Sequence, residues 1–460
     1  MFIDDNRDID PSQPLSLDDA LLLGTRLHRL NQFDEAHKLY NAVLQVVPEH
    51  ADALQFLGIL EHQLHNAEAG LGYMQRALAQ TPDAPGLHQN LGNILLELNR
   101  FDEAANAYDH CARLGGKTAE LLNNIGILRR HQGQFAAAEA AYREALAINP
   151  DFIDVYNGYG RLLARQNRHK EALLQYSEAL ARDPRNATAR YRLGLALCVL
   201  GRFEDAAQVY RDWLAVEPDN ASAQHYLAAC SGEGVPARAS DAYVATTFDE
   251  FAQSFDAKLE ALHYRAPELV GAALRKLLGD AVPRFDILDA GCGTGLCRPL
   301  LRPYAQKLVG VDLSARMLEK AKLRGGYDEL YKAELTLFIE AHPESFDLIV
   351  SADTLCYFGD LEAVSEGACR ALRPGGQIIF TVEALALADA PAELDAAAVL
   401  VAPRDYQLHP FGRYSHARYY VSQVLARAGF EEITLEHAVL RTEAAEPVHG
   451  YVVTGQRPAE

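Results

Sequence analysis

The chain has 460 residues, 49% of them hydrophobic and 23% charged, and a formal net charge of −20. That length exceeds one ordinary hydrophobic core and predicts two or three domains, while the acidic charge argues against nucleic acid as the main partner, since a phosphate backbone needs a clustered basic surface. No run of about 18 uncharged apolar residues is present, and the acidic start MFIDDNRDIDPSQP is no secretory signal, so a cytoplasmic protein outside the membrane is expected.

The acidic segment 1–16 is expected to be poorly ordered. A repeat follows. Glycine recurs every 34 residues, at Gly24, Gly58, Gly92, Gly126, Gly160 and Gly194. At the same step come Ala36, Gly70, Ala104, Ala138, Ala172 and Ala206, and then Tyr40, Met74, Tyr108, Tyr142, Tyr176 and Tyr210. Pro48, Pro82, Pro150, Pro184 and Pro218 close most units, and Gly116 breaks that series. Each proline stops one helix and starts the next unit. The period resembles the tetratricopeptide pattern, an antiparallel helix pair per unit with small residues where the helices touch. Six units result, over 17–50, 51–84, 85–118, 119–152, 153–186 and 187–220. Residues 221–234 read as a terminal helix capping the last apolar face.

Such an array lines a concave face with the first helix of each unit. Asn90 and Asn124 share a repeat position there, with Asn93, Asn123, Arg130, Asn157, Arg161, Arg165 and Arg192 as neighbours. These side chains either bind an extended peptide or are solvated surface and packing residues. The seven cysteines, Cys111, Cys198, Cys230, Cys292, Cys297, Cys356 and Cys369, show no C-x-x-C spacing. They read as reduced and mostly buried, and no residue spacing marks a metal site.

Residues 235–284 are expected to be a linker and helical segment covering a pocket. From Phe285 short β-rich runs alternate with helical ones, the mark of an α/β domain. Seven strands are predicted, in FDILDA, KLVGVDLS, DELYKAEL, SFDLIVSAD, GGQIIFTVEA, FEEITLEHAVLR and HGYVVTGQR. No crossover helix separates the last two, so they should pair antiparallel. The fold class expected is an all-α repeat solenoid followed by a Rossmann-like α/β domain with a seven-stranded mixed sheet, over 285–460.

The turn after the first strand reads DAGCGTG. Its third glycine, Gly295, comes one residue early for the dinucleotide fingerprint. Asp289 sits in the approach and would repel a pyrophosphate but hold a cationic amino group. Asp312, 23 residues on, ends the second strand and can take two ribose hydroxyls. A ribose, a cationic amino-acid end and no phosphate describe S-adenosyl-L-methionine.

LDAGCGTG, GVDLSARML, FDLIVSADTLCYFGDLE and LRPGGQIIFTVE resemble, as an ordered set over about 285–383, the class I S-adenosylmethionine-dependent methyltransferases. The whole chain resembles a bacterial group of predicted methyltransferases with tetratricopeptide repeats. The resemblance implies that Gly291 and Gly293 pass the methionine part, Asp289 holds its amino group and Asp312 the ribose. It further implies that Leu313 and Met317 pack near the adenine, Glu334 accepts from the adenine amino group, and Asp353 and Thr354 face the reaction centre. Helix packing is the alternative role for Met317. S-adenosyl-L-homocysteine would be the product.

Methyl transfer from a sulfonium is an in-line displacement, so alignment matters most and a base only where the acceptor must lose a proton. Candidates for the chemistry are Tyr357, Glu383, Tyr414 and His416. His416 is the best base by chemistry, and capping a helix or binding a backbone oxygen is its alternative. Tyr264, Arg265 and Arg413 are candidate substrate ligands; the arginines bind a substrate carboxylate or pair with acidic residues such as Glu443. Two acceptor classes stand side by side: a protein or peptide presented by the repeats, or a small carboxylate-bearing metabolite, with the repeats serving dimerisation or docking. A non-catalytic repeat scaffold is the third reading.

Overall fold

In a computed structural model of the chain, residues 15–64, 66–385, 404–443 and 446–459 are described. The expectation for 1–16 falls outside them except at Leu15 and Ser16. The chain divides into two compact units, 1–196 and 197–460.

The helices come in pairs: α1 (Leu17–Arg29) with α2 (Phe33–Val46), α3 (Ala51–Gln63) with α4 (Ala67–Gln80), and α5 (Pro85–Glu97) with α6 (Phe101–Gly115). Then follow α7 (Ala119–His131) with α8 (Phe135–Ile148), α9 (Ile153–Arg165) with α10 (His169–Arg182), and α11 (Ala187–Val199), α12 (Phe203–Val216) and α13 (Ala221–Ser231). The division between the units falls inside α11, so α12 and α13 belong to the second unit although their sequence continues the repeat.

The 34-residue rhythm has a direct packing cause in the first unit. Tyr40, Tyr108, Tyr142 and Tyr176 are buried against Gly24, Gly92, Gly126 and Gly160, where a Cβ would meet the ring. Met74 plays the same part against Gly58. A second device keeps time with it: Asn31, Asn99, Gly133, Asn167 and Gly201 each turn the chain in the left-handed region between the two helices of a pair. Small polar residues and glycine tolerate that conformation. Gly160→Val would push a branched side chain into Tyr176; overpacking of this kind costs about 1–3 kcal/mol. Thermal denaturation followed by circular dichroism should show a lower midpoint than the parent.

In the second unit, α14 (Asp241–Phe251), α15 (Phe255–Ala261) and α16 (Ala266–Leu278) precede a mixed sheet. Its strands are β1 (Phe285–Ala290), β2 (Ala305–Asp312), β3 (Glu329–Lys332), β4 (Phe346–Ser351), β5 (Leu372–Ala384), β6 (Tyr406–Leu408), β7 (Tyr414–His416), β8 (Glu431–Glu443) and β9 (Glu446–Gln456). Five strands run parallel in the order β3-β2-β1-β4-β5. β9 pairs antiparallel with both β5 and β8, as the missing crossover predicts. The seven expected strands are joined by two short ones: β6 and β7 form a hairpin that pairs with the end of β5. Sequence reading takes that stretch for a loop, because three-residue strands leave no alternation to see.

Successive residues of the parallel strands point to opposite faces. Ile287, Leu348, Val350 and Ile379 meet α16 residues Val270 and Leu274 in one cluster. Leu288, Ile349, Ile378 and Phe380 pack on the other face. There they meet α19 (Leu335–Glu340), α20 (Glu362–Ala371) and α21 (Arg418–Arg427). The helix expected after the first turn is short, α17 (Arg298–Leu301); the one after β2 is α18 (Ala315–Arg324). This layering leaves the C-terminal ends of β1, β2 and β4 side by side, where α/β sheets form their crevice.

Candidate active site

At the end of β1 the chain turns through Gly291 and Gly293, with φ of 78° and 53°. A Cβ on Gly291 would overlap the Thr354 side chain. Gly293 has only Phe255 near where a Cβ would stand, so its backbone opens on a cavity. The turn is held from the next strand: Asp312 Oδ2 accepts the Gly293 N–H at 2.8 Å, and Oδ1 accepts the Ser314 N–H at 2.9 Å. Asp289 is 1% exposed, and its Oδ2 accepts the Tyr327 hydroxyl at 2.6 Å. Burial, with Asp312 adding repulsion, outweighs that hydrogen bond and pushes the Asp289 carboxyl up to about 7. Burial likewise raises Asp312, against the backbone N–H groups that favour its charge.

The cavity over these strand ends is lined below by Asp289, Gly291, Gly293, Asp312, Leu313, Glu334, Asp353 and Thr354. Its roof is apolar: Val244 and Phe248 of α14, Phe255 and Leu259 of α15, and then Tyr264. Acidic residues pin the roof to the turn. Asp256 accepts the Thr294 hydroxyl at 2.7 Å and pairs with Arg324. Asp249 accepts the Ser314 hydroxyl at 2.5 Å.

Glu334 caps α19, its Oε2 accepting the Leu337 N–H at 2.8 Å. Its Oε1 is buried and has no hydrogen-bond partner among the described residues; Arg238 Nε is 3.9 Å away. A buried carboxylate oxygen left open beside a cavity is suited to a donor on a ligand.

A family model described as a methyltransferase domain matches residues 288–380. Models of the tetratricopeptide repeat match 21–85, 90–151 and 158–228, and 129–175. The chain joins tetratricopeptide repeats to a methyltransferase domain. A ubiquinone biosynthesis O-methyltransferase of Chelativorans sp. is 35% identical over 116 residues, 23% of this chain and 46% of that protein. A malonyl-[acyl-carrier protein] O-methyltransferase of Hamiltonella defensa is 31% identical over 25% of this chain and 44% of its own. Human methyltransferase-like protein 27 is 31% identical over 33% of this chain and 61% of its own. The chain thus spans about half the length of these relatives. A thermophilic tetratricopeptide-repeat protein of Thermus thermophilus is similar to 40% of this chain, with 25% identity and a TM-score of 0.37, and all of that protein is covered.

Within the methyltransferase domain the remaining candidates separate. Tyr264, Tyr357 and Arg413 line the cavity. Met317 is wholly buried on α18 and does not line it, in keeping with a packing role. Arg265 stands at the start of α16, exposed, with its guanidinium 3.4 Å from Glu268. It is not brought to the cavity, because the helix start turns its side chain toward the acidic residue one turn on. His416 is buried in β7, and its Nε2 bonds the Gly359 carbonyl at 3.1 Å. Burial pushes its pKa down to about 4, and it lies off the cavity. The base expected from sequence is therefore a neutral histidine bound to a backbone oxygen. Tyr414 is equally buried and donates to the Pro236 carbonyl at 2.8 Å. Asn90 and Asn124 lie in the first unit, half-buried; Asn124 Nδ2 donates to Asn93 Oδ1 at 2.9 Å.

Glu383 is taken up by a buried ionic network that single residues in the sequence do not reveal. Arg441, 1% exposed, reaches Asp353 Oδ2 at 2.9 Å, Glu443 Oε1 at 2.7 Å, and Glu383. Arg413 stands 3.2 Å from Glu383 Oε1 and also pairs with Glu443. Of its two expected fates, Arg413 thus takes the internal pairing. Burial pushes Glu443 up, but the two guanidiniums hold it below the ordinary carboxylate range. Arg441→Met would leave Asp353, Glu383 and Glu443 together with one cation. Removing one side of such a buried pair costs about 3–5 kcal/mol. Urea unfolding should register that loss, and a change under about 1 kcal/mol would show that water reaches the network.

Asp249, Asp256, Thr294 and Tyr327 escape the sequence reading. The available signal for the two aspartates is the run of three carboxylates among three phenylalanines in TTFDEFAQSFDAK.

Proposed function

We propose that this chain transfers a methyl group from S-adenosyl-L-methionine to an acceptor that enters beneath α14 and α15. The observation that carries the reading is the open, buried Glu334 Oε1 in the same cavity as Asp289 and Asp312. Two carboxylates beside the glycine turn exclude a pyrophosphate and suit a cationic amino acid joined to a ribose. When bound, S-adenosyl-L-methionine supplies a methyl group activated on a sulfonium and leaves as S-adenosyl-L-homocysteine.

The chain's own residues divide the work of binding. Asp312 has lone pairs beyond those used by Gly293 and Ser314 and accepts the ribose hydroxyls. Asp289 faces the ammonium charge, Glu334 accepts from the adenine amino group, and Leu313 packs beside it. Phe248 and Phe255 exclude water, which strengthens each of these contacts. Tyr264 and Tyr357 offer hydroxyls toward the acceptor. No histidine lines the cavity among the described residues. An acceptor already anionic, such as a carboxylate, needs no base, and alignment supplies the rate.

Two acceptor readings remain distinct in chemistry. A protein or peptide presented by the repeats is favoured by the array itself and by the pairing of Arg413 with Glu383 and Glu443, which leaves no uncompensated cation there for a small acid. A small-molecule acceptor is favoured by the aromatic roof over the cavity, and the relatives' names include both a small-molecule pathway and a carrier-protein substrate. Incubation of the full chain with methyl-labelled S-adenosyl-L-methionine and a cell lysate separates them: label in macromolecules supports the first, label in the small-molecule fraction the second. Asp312→Ala should lower labelling at least tenfold, and labelling at the parent rate would overturn the cofactor assignment.

A further inference from the structure

Two cysteines far apart in the sequence meet where the repeat ends. Cys198 is the last residue but one of α11, and Cys230 the last but one of α13. These are the first helices of successive repeats, and stacked repeats lay such helices side by side. Their last turns come abreast, and Cys198 Sγ stands 3.2 Å from Cys230 Sγ. Both residues belong to the second compact unit. Both helices run out into an exposed glycine in the left-handed region, Gly201 with φ of 70° and Gly232 with φ of 69°. A disulfide needs its sulfurs about 2.0 Å apart, so an approach of about 1 Å is required. Side-chain rotation and two helix ends of this kind can supply it.

The two thiols are not equivalent. All seven cysteines are free, and Cys230 is the one that is not buried. The Cys198 S–H donates toward Cys230 and lowers the Cys230 thiol, although burial opposes the shift. The same contact, with burial, pushes Cys198 up. The end of α13 disfavours negative charge, so the donation from Cys198 is what makes a thiolate available at Cys230. Burial pushes the other five thiols up, at Cys111, Cys292, Cys297, Cys356 and Cys369. An accessible thiolate with a second thiol in reach is the arrangement that oxidants select. Neither sulfur lines the cavity beneath α14 and α15.

We infer that Cys198 and Cys230 form a dithiol site oxidised by hydrogen peroxide, with Cys230 the attacking sulfur and Cys198 the resolving one. The Cys230 thiolate attacks one peroxide oxygen, the O–O bond breaks, and the leaving hydroxide takes up a proton as water. Cys230 is then a sulfenic acid, oxidised by two electrons, and the peroxide is reduced. The Cys198 sulfur attacks the Cys230 sulfur, so that the S–S bond forms and the S–O bond breaks. The Cys198 proton leaves with the hydroxide as a second water. The product is a covalent tie between α11 and α13, which a thiol reductant reverses. The site stands apart from methyl transfer and does not rest on the proposed function.

The test treats the reduced full chain with a small excess of hydrogen peroxide, blocks free thiols with N-ethylmaleimide and digests with trypsin. Each cysteine of the pair lies on its own tryptic peptide, 193–202 and 212–238. Mass spectrometry should find these two joined. The thiol titre of the denatured protein should fall by two from seven and recover with dithiothreitol. In Cys198→Ser, Cys230 should persist as a sulfenic acid that dimedone labels. In Cys230→Ser, thiol loss should slow at least tenfold. The linkage in the parent is read without any variant. An undiminished thiol titre, disulfides spread among other cysteines, a dimer joined between chains on a non-reducing gel, or dimedone label on Cys198 in Cys230→Ser but not on Cys230 in Cys198→Ser would each overturn the proposal.

Discussion

Asp289 is a carboxylate taken out of water at the end of β1, with only the Tyr327 hydroxyl in direct contact among the hydrogen bonds described and Asp312 on the neighbouring strand. Two such groups close together are costly to ionise, and a bound cation offsets that cost. The parallel register imposes the pairing, since it sets Asp289 opposite Gly310, two residues before Asp312. The glycine turn follows from the same constraint: Asp312 has to reach across to the Gly293 N–H, and a side chain on Gly291 would strike Thr354. Charge, turn and sheet are thus one arrangement.

The roof covers that arrangement with apolar side chains. Its aromatic face lines the cavity, and its acidic face fastens to Thr294, Ser314 and Arg324. On the far side, Arg441 and Arg413 hold Asp353, Glu383 and Glu443 as a rigid charged wall. The hydrogen bonds and ion pairs of the site join residues distant in the chain, such as Asp353 and Arg441. The positions of the roof and of β8 are therefore part of its chemistry.

Sequence and structure agree where a feature is periodic or local. The repeat shows because Tyr108 has to fit Gly92 and Tyr142 has to fit Gly126, and such pairs recur at a fixed step. The turn shows because Asp289, Gly291 and Gly293 lie in one short run and Asp312 ends the next strand, and the structure brings all four to one cavity. Agreement ends where tertiary pairing decides. His416 looks like a base in a loop, but the pairing of β7 with β5 buries it against Gly359. Arg265 looks like a substrate ligand, but the start of α16 directs it to Glu268. The division inside α11 is invisible because the repeat period runs on past it, while His225 bonds the Gly412 carbonyl at 2.9 Å and ties α13 to the second unit.

The most direct measurement is calorimetric titration of the full chain with S-adenosyl-L-methionine at pH 6 and pH 7.5, in buffers of different ionisation enthalpy. Burial holds the Asp289 carboxyl up to about 7 in the unliganded protein, so at the lower pH a proton must leave before the ammonium group can be held. The account predicts binding that is severalfold tighter at pH 7.5, proton release on binding at pH 6, and loss of both effects in Asp289→Asn. Absence of binding, or an affinity indifferent to pH and to that substitution, would contradict it.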